Sequence, residues 1–313
     1  MLIFVATIIL PSLRAILSGI FILCNLFLLS TVSGQAVSPY IADSDVKNHF
    51  YKGFVHLYHF EFQSCKDEAD LLLKTHPASS WGYILAAEYH WWMIVSGDES
   101  NNHGKDLIAS LEAAALRSAK LSQSEGLFCK IISYTLRSRY EIFKGNYVKS
   151  LELLNQSSGL LKESAHQPDG YEPFLLTKGL YNYFIAEAGN RFWIFNPVGI
   201  LGLKVDKALG IEYLTTLSNS GDEILSTEAA YFLMKIYLEV ENNASGASRY
   251  SARLSGKYPT NLIFQYYNSL NGNTKSRVSP EIAMKYNLLL KQATQLSSAQ
   301  RRHFEQLIND VAK

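Results

Sequence analysis

Three small groups of residues have the types and spacing that chemistry uses. His56 and His59 stand three apart in a helical stretch, with Glu61 just beyond. That spacing lets both imidazoles share one helix face, and with a carboxylate they begin a metal site. No cysteine or aspartate cluster joins them, so packed or half-exposed histidines are the competing reading. Ser44 and Lys47 have the spacing of a serine–lysine nucleophile pair, although a serine at a helix start serves far more often as an N-cap. Glu88, His90, Trp91 and Trp92 crowd a third stretch. There indole and imidazole can line a ligand groove, or tryptophan can simply fill the gap between helices. No G-x-S-x-G elbow, phosphate loop or H-E-x-x-H is present. Gly199-x-x-Gly202 lacks a third glycine and follows no strand, so it does not read as a nucleotide loop. The reading is therefore of a non-enzyme, with no catalytic residue, cofactor or metal ligand expected.

The composition agrees with that silence. The chain has 313 residues, 48% hydrophobic and 18% charged, which excludes intrinsic disorder. Lys and Arg number 29 against 28 Asp and Glu. That balance disfavours a nucleic-acid binder, which needs a basic excess or face. Three cysteines are too few for a disulfide-stapled scaffold.

Residues 1–36 read as a signal peptide. Arg14 is their one charge, the apolar run Ala15 to Leu29 follows, and Ser30 to Ala36 is small and polar. Cleavage after Gly34 or after Ala36 fits. The rival is an uncleaved anchor, but the run of 15 residues is short of the roughly 20 that a spanning helix needs. Leu23 before Cys24 is too large for a lipidation site. The expected compartment is periplasmic or secreted, with membrane anchoring as the alternative. Cys65 and Cys129 sit among apolar residues and read as two packed thiols, with a bridge as the minor option.

From residue 44 onward apolar residues recur at three- and four-residue spacing, and strand signals are nearly absent. Punctuation divides the chain into helices over 44–59, 62–75, 80–95, 105–121, 123–143, 147–164, 174–188, 205–218, 226–240, 244–257, 262–270 and 282–311. Ser122-x-x-Glu125 is a capping box at one of these starts. The expectation is an all-α fold, one domain over 37–313.

Small residues, aromatics and prolines then fall at fixed offsets. Before Pro77, Phe62, Cys65, Ala69 and Gly53 lie 15, 12, 8 and 24 residues back; before Pro259, Ala247 and Tyr231 lie 12 and 28 back. Gly145, Tyr147 and Ser150 keep the same relative spacing without the proline. This resembles the 34-residue tetratricopeptide repeat, in which small residues let two antiparallel helices approach and proline stops the second. Lys235 departs from it, standing where a small residue belongs. Leu176 to Ile185, Asp206 to Leu214, Glu228 to Leu233 and Gly256 to Asn261 resemble exported repeat proteins of Bacteroidetes-type bacteria and, more distantly, the inclusion-body-clearance repeat family. The resemblance implies an α-solenoid of about five helix pairs with a C-terminal capping helix, and it carries over no catalytic residues.

In such an array the first helices of the pairs line a concave face. The register places Tyr134, Arg139, Tyr140, Tyr181, Asn182, Glu187 and Tyr231 near it. Tyr, Asn and Arg suit capture of peptide backbone or carboxylate, and Asn182, if buried, needs a partner. The segment 190–203 is unusually apolar for a connection, with Arg191, Phe192, Trp193, Phe195 and Pro197. It is expected to plug the groove, to bind a partner or to touch a membrane surface peripherally. The function expected is an exported interaction scaffold for a protein or peptide. The alternatives are a small-molecule or lipid binder with an aromatic groove, and an enzyme near Glu88, His90 and Arg139. Titratable groups converging within hydrogen-bond reach would mark the enzyme.

Overall fold

A computed structural model describes residues 41–98, 102–165, 170–191, 205–270 and 278–312. The segments 1–36 and 192–204 lie outside these, and with them the signal-peptide reading and most of the apolar loop. Among the described residues 82% are helical and there are no strands, so the fold is all-α. The helices are α1 Ser44–Tyr58, α2 Phe62–Thr75, α3 Ser80–Val95, α4 His103–Arg117, α5 Gln123–Phe143, α6 Tyr147–Ala165, α7 Pro173–Arg191, α8 Lys207–Ser218, α9 Glu223–Lys235, α10 Ala244–Lys257, α11 Leu262–Ser269, α12 Pro280–Gln292 and α13 Ser298–Ala312. A 3-10 turn, Ser118–Lys120, follows α4, and a π turn, Ile236–Val240, extends α9.

The ends have local causes. Asp206, Asn243, Asn261 and Ser279 each turn a side-chain oxygen onto the first free amides of α8, α10, α11 and α12. Gly97 and Gly145 stand at positive φ just past α3 and α5, where a side chain would be strained. One expected helix, 282–311, is two. Ser297-x-x-Gln300 is a capping box between them: the Gln300 carboxamide accepts the Ser297 amide at 2.9 Å and the Ser297 hydroxyl accepts the Gln300 amide at 3.2 Å. Arg301 then closes the preceding helix by donating to the carbonyls of Leu290 and Ala293. Ser122 does precede α5 as read, but its hydroxyl meets the Glu125 carboxylate at 3.4 Å and makes no bond to a cap amide.

The chain groups into two compact units. The first holds 78–80 and 111–225 with the stretch ending at Ser44; the second holds 45–77, 81–110 and 226–313. In the first, α5 packs on α6 and α7 on α8. Both contacts run through small residues. The hydroxyls of buried Ser138 and Ser150 meet at 2.8 Å. A methyl placed on Gly210 would lie 2.5 Å from the Tyr183 amide nitrogen and 2.7 Å from the Gly179 carbonyl oxygen, so these backbones touch.

In an open solenoid each repeat touches only its neighbours. The second unit instead joins the early helices to the last ones. Asn261 caps α11 with its oxygen and donates its amide to the Tyr58 carbonyl at 3.0 Å, 203 residues away. Thr260 donates to the His59 carbonyl, and Gln300 to the Ser96 hydroxyl at 2.7 Å. Tyr58, Trp92, Tyr258 and Phe264 pack ring on ring at the centre. Tyr58, buried, donates its hydroxyl to Glu228 at 2.8 Å. Phe60, Phe304 and Trp81 extend that core. Cys65 and Cys129 are both free, buried thiols, and burial pushes each well above the ordinary thiol range. No described helix is long and apolar enough to cross a membrane.

Candidate functional site

The residues assigned to a groove divide into two kinds. Tyr181, Asn182 and Glu187 are buried in α7, so they line no open face. The polar groups of Asn182 and Glu187 are spent inside the unit. Asn182 donates to the Lys178 carbonyl at 2.9 Å and accepts the Asp206 amide at 3.2 Å. Asp206 in turn caps α8 through the amides of Ala208 and Leu209. Glu187 holds Lys207 at 2.6 Å, and that ammonium also lies 5.2 Å over the Tyr183 ring. These residues form a polar seam that seats α8 on α7.

Tyr134, Arg139 and Tyr140 are half-buried on α5. At 100° per residue Arg139, Tyr140 and Phe143 share one side of the last turns of that helix, whereas Tyr134 is set well round from them. Phe143 is 55% exposed and Val148, just past the turn, 84%. Burial raises the Tyr140 hydroxyl above the usual tyrosine range, with Glu141 adding to the effect. Tyr231 belongs to the second unit, half-buried against Phe264 and Tyr267. Of the apolar loop, Arg191 is the last residue of α7, and Phe192, Trp193, Phe195 and Pro197 lie outside the described residues.

The aromatic group around Glu88 resolves into core and cluster. Trp91 and Trp92 are buried. His90 meets His103, Nδ1 to Nδ1, at 2.8 Å, and His103 Nε2 stands 3.4 Å from the Asp98 carboxylate. The Tyr89 ring covers both imidazoles. Asp98 accepts only, so when His103 carries a single hydrogen on the Nε2 that faces it, its Nδ1 is bare and His90 donates from Nδ1. Burial, and then the neighbouring His103, hold His90 down at about 4. His90 is accordingly neutral at pH 7 and a weak base. Titratable groups thus converge near His90 as the enzyme alternative expects, although those that meet it are His103 and Asp98, where that alternative named Glu88 and Arg139. The sequence reading picked out His90 but neither His103 nor Asp98. Both lie across the turn between α3 and α4, and a helix–turn–helix that doubles back was the available signal.

No family model, curated protein or solved structure matches the chain. What it does must be read from its own residues.

The other pairs find ordinary partners. His56 meets Glu61 at 2.5 Å, and His59 is edge-on to Tyr258. Among the described residues no three metal-ligating side chains come together. Lys47 lies over the Tyr51 ring at 5.2 Å, one turn along α1 from it. Lys235, at the position where the repeat wants a small residue, pairs with Glu239 and donates to the Tyr267 hydroxyl at 2.8 Å. The π turn begins at the next residue.

Proposed function

We propose that this chain is an exported, non-enzymatic scaffold built of tetratricopeptide-like helix pairs, which recognises a protein or peptide segment. The pairing is supported by the small-on-small contacts of α5 with α6 and of α7 with α8. Ser138 and Ser150 are separated by the same 12 residues as Gly53 and Cys65, the two small positions of the repeat. The observation that carries recognition is the patch of Arg139, Tyr140 and exposed Phe143 at the end of α5, with Val148 beside it in sequence. Arginine and aromatic residues dominate binding energy at protein interfaces, and a guanidinium beside a tyrosine hydroxyl suits a peptide carboxylate or carbonyl. Tyr181, Asn182 and Glu187 support the same surface indirectly by fixing α7 and α8 in their unit.

The test is a photo-crosslinkable residue at position 143 of the full chain, expressed in its own cell. A discrete adduct that disappears with Arg139→Ala and Tyr140→Ala supports the reading. A folded chain giving no adduct, or one that both substitutions leave intact, overturns it.

A further inference from the structure

The helix α12 presents two faces of opposite character. Its inner face is fixed: Tyr286 and Leu290 are buried, and the Tyr286 hydroxyl donates to the Leu262 carbonyl at 3.2 Å. Its outer face carries Glu281, Met284, Leu288 and Lys291, all exposed, within about a third of a turn of one another. Met284 is 70% exposed and Leu288 56%. Among the described residues neither Glu281 nor Lys291 has an ion-pair partner.

The order of these four residues is symmetric. Met284 and Leu288 each lie two positions from residue 286, and Glu281 and Lys291 each lie five. We propose that this face is a self-association surface, on which a second copy of the chain lays its own α12 antiparallel about a two-fold axis at position 286. That axis sets Met284 on the partner copy's Leu288 and Glu281 opposite the partner copy's Lys291, twice over, as an isologous interface requires. Acid at the start and base at the end also suit the dipole of a single helix. The dipole gives no reason for two large apolar side chains in water between them. A self-complementary charge pattern around an apolar centre does. One helix pair is small against the 1,200–2,000 Å² of a typical stable interface, so the dimer is weak and forms with rising concentration. This surface lies in the second unit and does not depend on the α5 patch.

The experiment is sedimentation of the purified full chain in mild detergent over a range of concentrations, with helical content checked by circular dichroism. The wild type should pass from monomer to dimer. Glu281→Lys and Lys291→Glu each place like charges together at two symmetric points and should weaken the dimer on the order of tenfold. Mixing the two variants restores both pairs and should restore dimerisation to about the wild-type level. Met284→Glu should abolish it. A wild type that stays monomeric overturns the proposal. A dimer indifferent to either reversal, or two reversed variants that fail to rescue each other, overturns it too. Because the N-terminal segment is common to every variant, association through it would show as indifference.

Discussion

The side-chain oxygen of Asn182 accepts the backbone N–H of Asp206 at 3.2 Å, so one buried amide in α7 positions the residue that caps α8. Removing it unties both ends of the seam. Asn182→Leu takes the side-chain acceptor from the part-buried Asp206 amide and the second donor from the Lys178 carbonyl, which keeps its helix bond. That should destabilise the protein by about 1 kcal/mol, read as a lowered midpoint in denaturant with an unchanged slope. An unaltered midpoint would show that solvent reaches the seam.

Two glycines should respond in opposite directions. Gly210→Ala drives a methyl into the backbone of Tyr183 and Gly179, and α7 and α8 must part, at a cost of about 1–3 kcal/mol. Gly159, in α6, has nothing within 4 Å of a methyl and no unusual φ. Gly159→Ala should stabilise by about 0.5–1 kcal/mol. Thermal melts of the two variants beside the wild type decide both.

Acid should loosen the second unit through His90. Its folded-state value, about 4, lies below the usual 6.5 of an unfolded histidine, so between those values the unfolded chain binds more protons. Stability is fully present above about pH 6.5 and falls as pH drops toward 4. The groups around the ring are Tyr89 on its own helix, Lys66 and Asp70 from α2, and His103 and Asp106 from α4. Discounted for the ring's partial solvent access, the loss is on the order of 2 kcal/mol. His303, also held low by burial, adds in the same direction. His90→Gln should flatten the profile across that window, and an equal slope in wild type and variant would exclude His90 as its source.

Cys65 and Cys129 should resist modification in the folded chain. Both thiols are buried and held protonated, and the thiolate is the reactive form. Peptide mapping after alkylation at mildly alkaline pH should find both unlabelled, then both labelled once denaturant is added. Rapid labelling of either in buffer would reveal an opening that exposes α2 or α5.

Much of this architecture is legible in the sequence, for reasons that differ by element. The bounds of α2, α3 and α10 follow directly from periodicity and from Pro77, Gly97 and Pro259. The break between α12 and α13 was equally written, in Ser297-x-x-Gln300, but the apolar period runs through it and hides the cap. The functional residues were harder. Asn182 was readable as a buried amide in need of a partner. That the partner would be the next helix's own cap was not, since it lies 24 residues away across the apolar loop. Glu187 and Tyr181 read as groove residues because register tells which way a side chain points but not whether another helix already covers it. His103 and Asp98 were missed because their relation to His90 exists only once the turn after α3 has closed.

Phe60 carries a consequence of its own. It sits between α1 and α2 at a φ of 64°, a conformation that bulky residues avoid, yet its side chain is wholly buried against Phe62, Trp92 and Phe304. Left to itself, the local chain would not choose that turn. The rings that hold Phe60 there arrive from α3 and α13, the latter more than 200 residues downstream. During biosynthesis, therefore, the first hairpin emerges long before the helix that secures its corner, and the nascent second unit stays unfinished until α13 is free to dock.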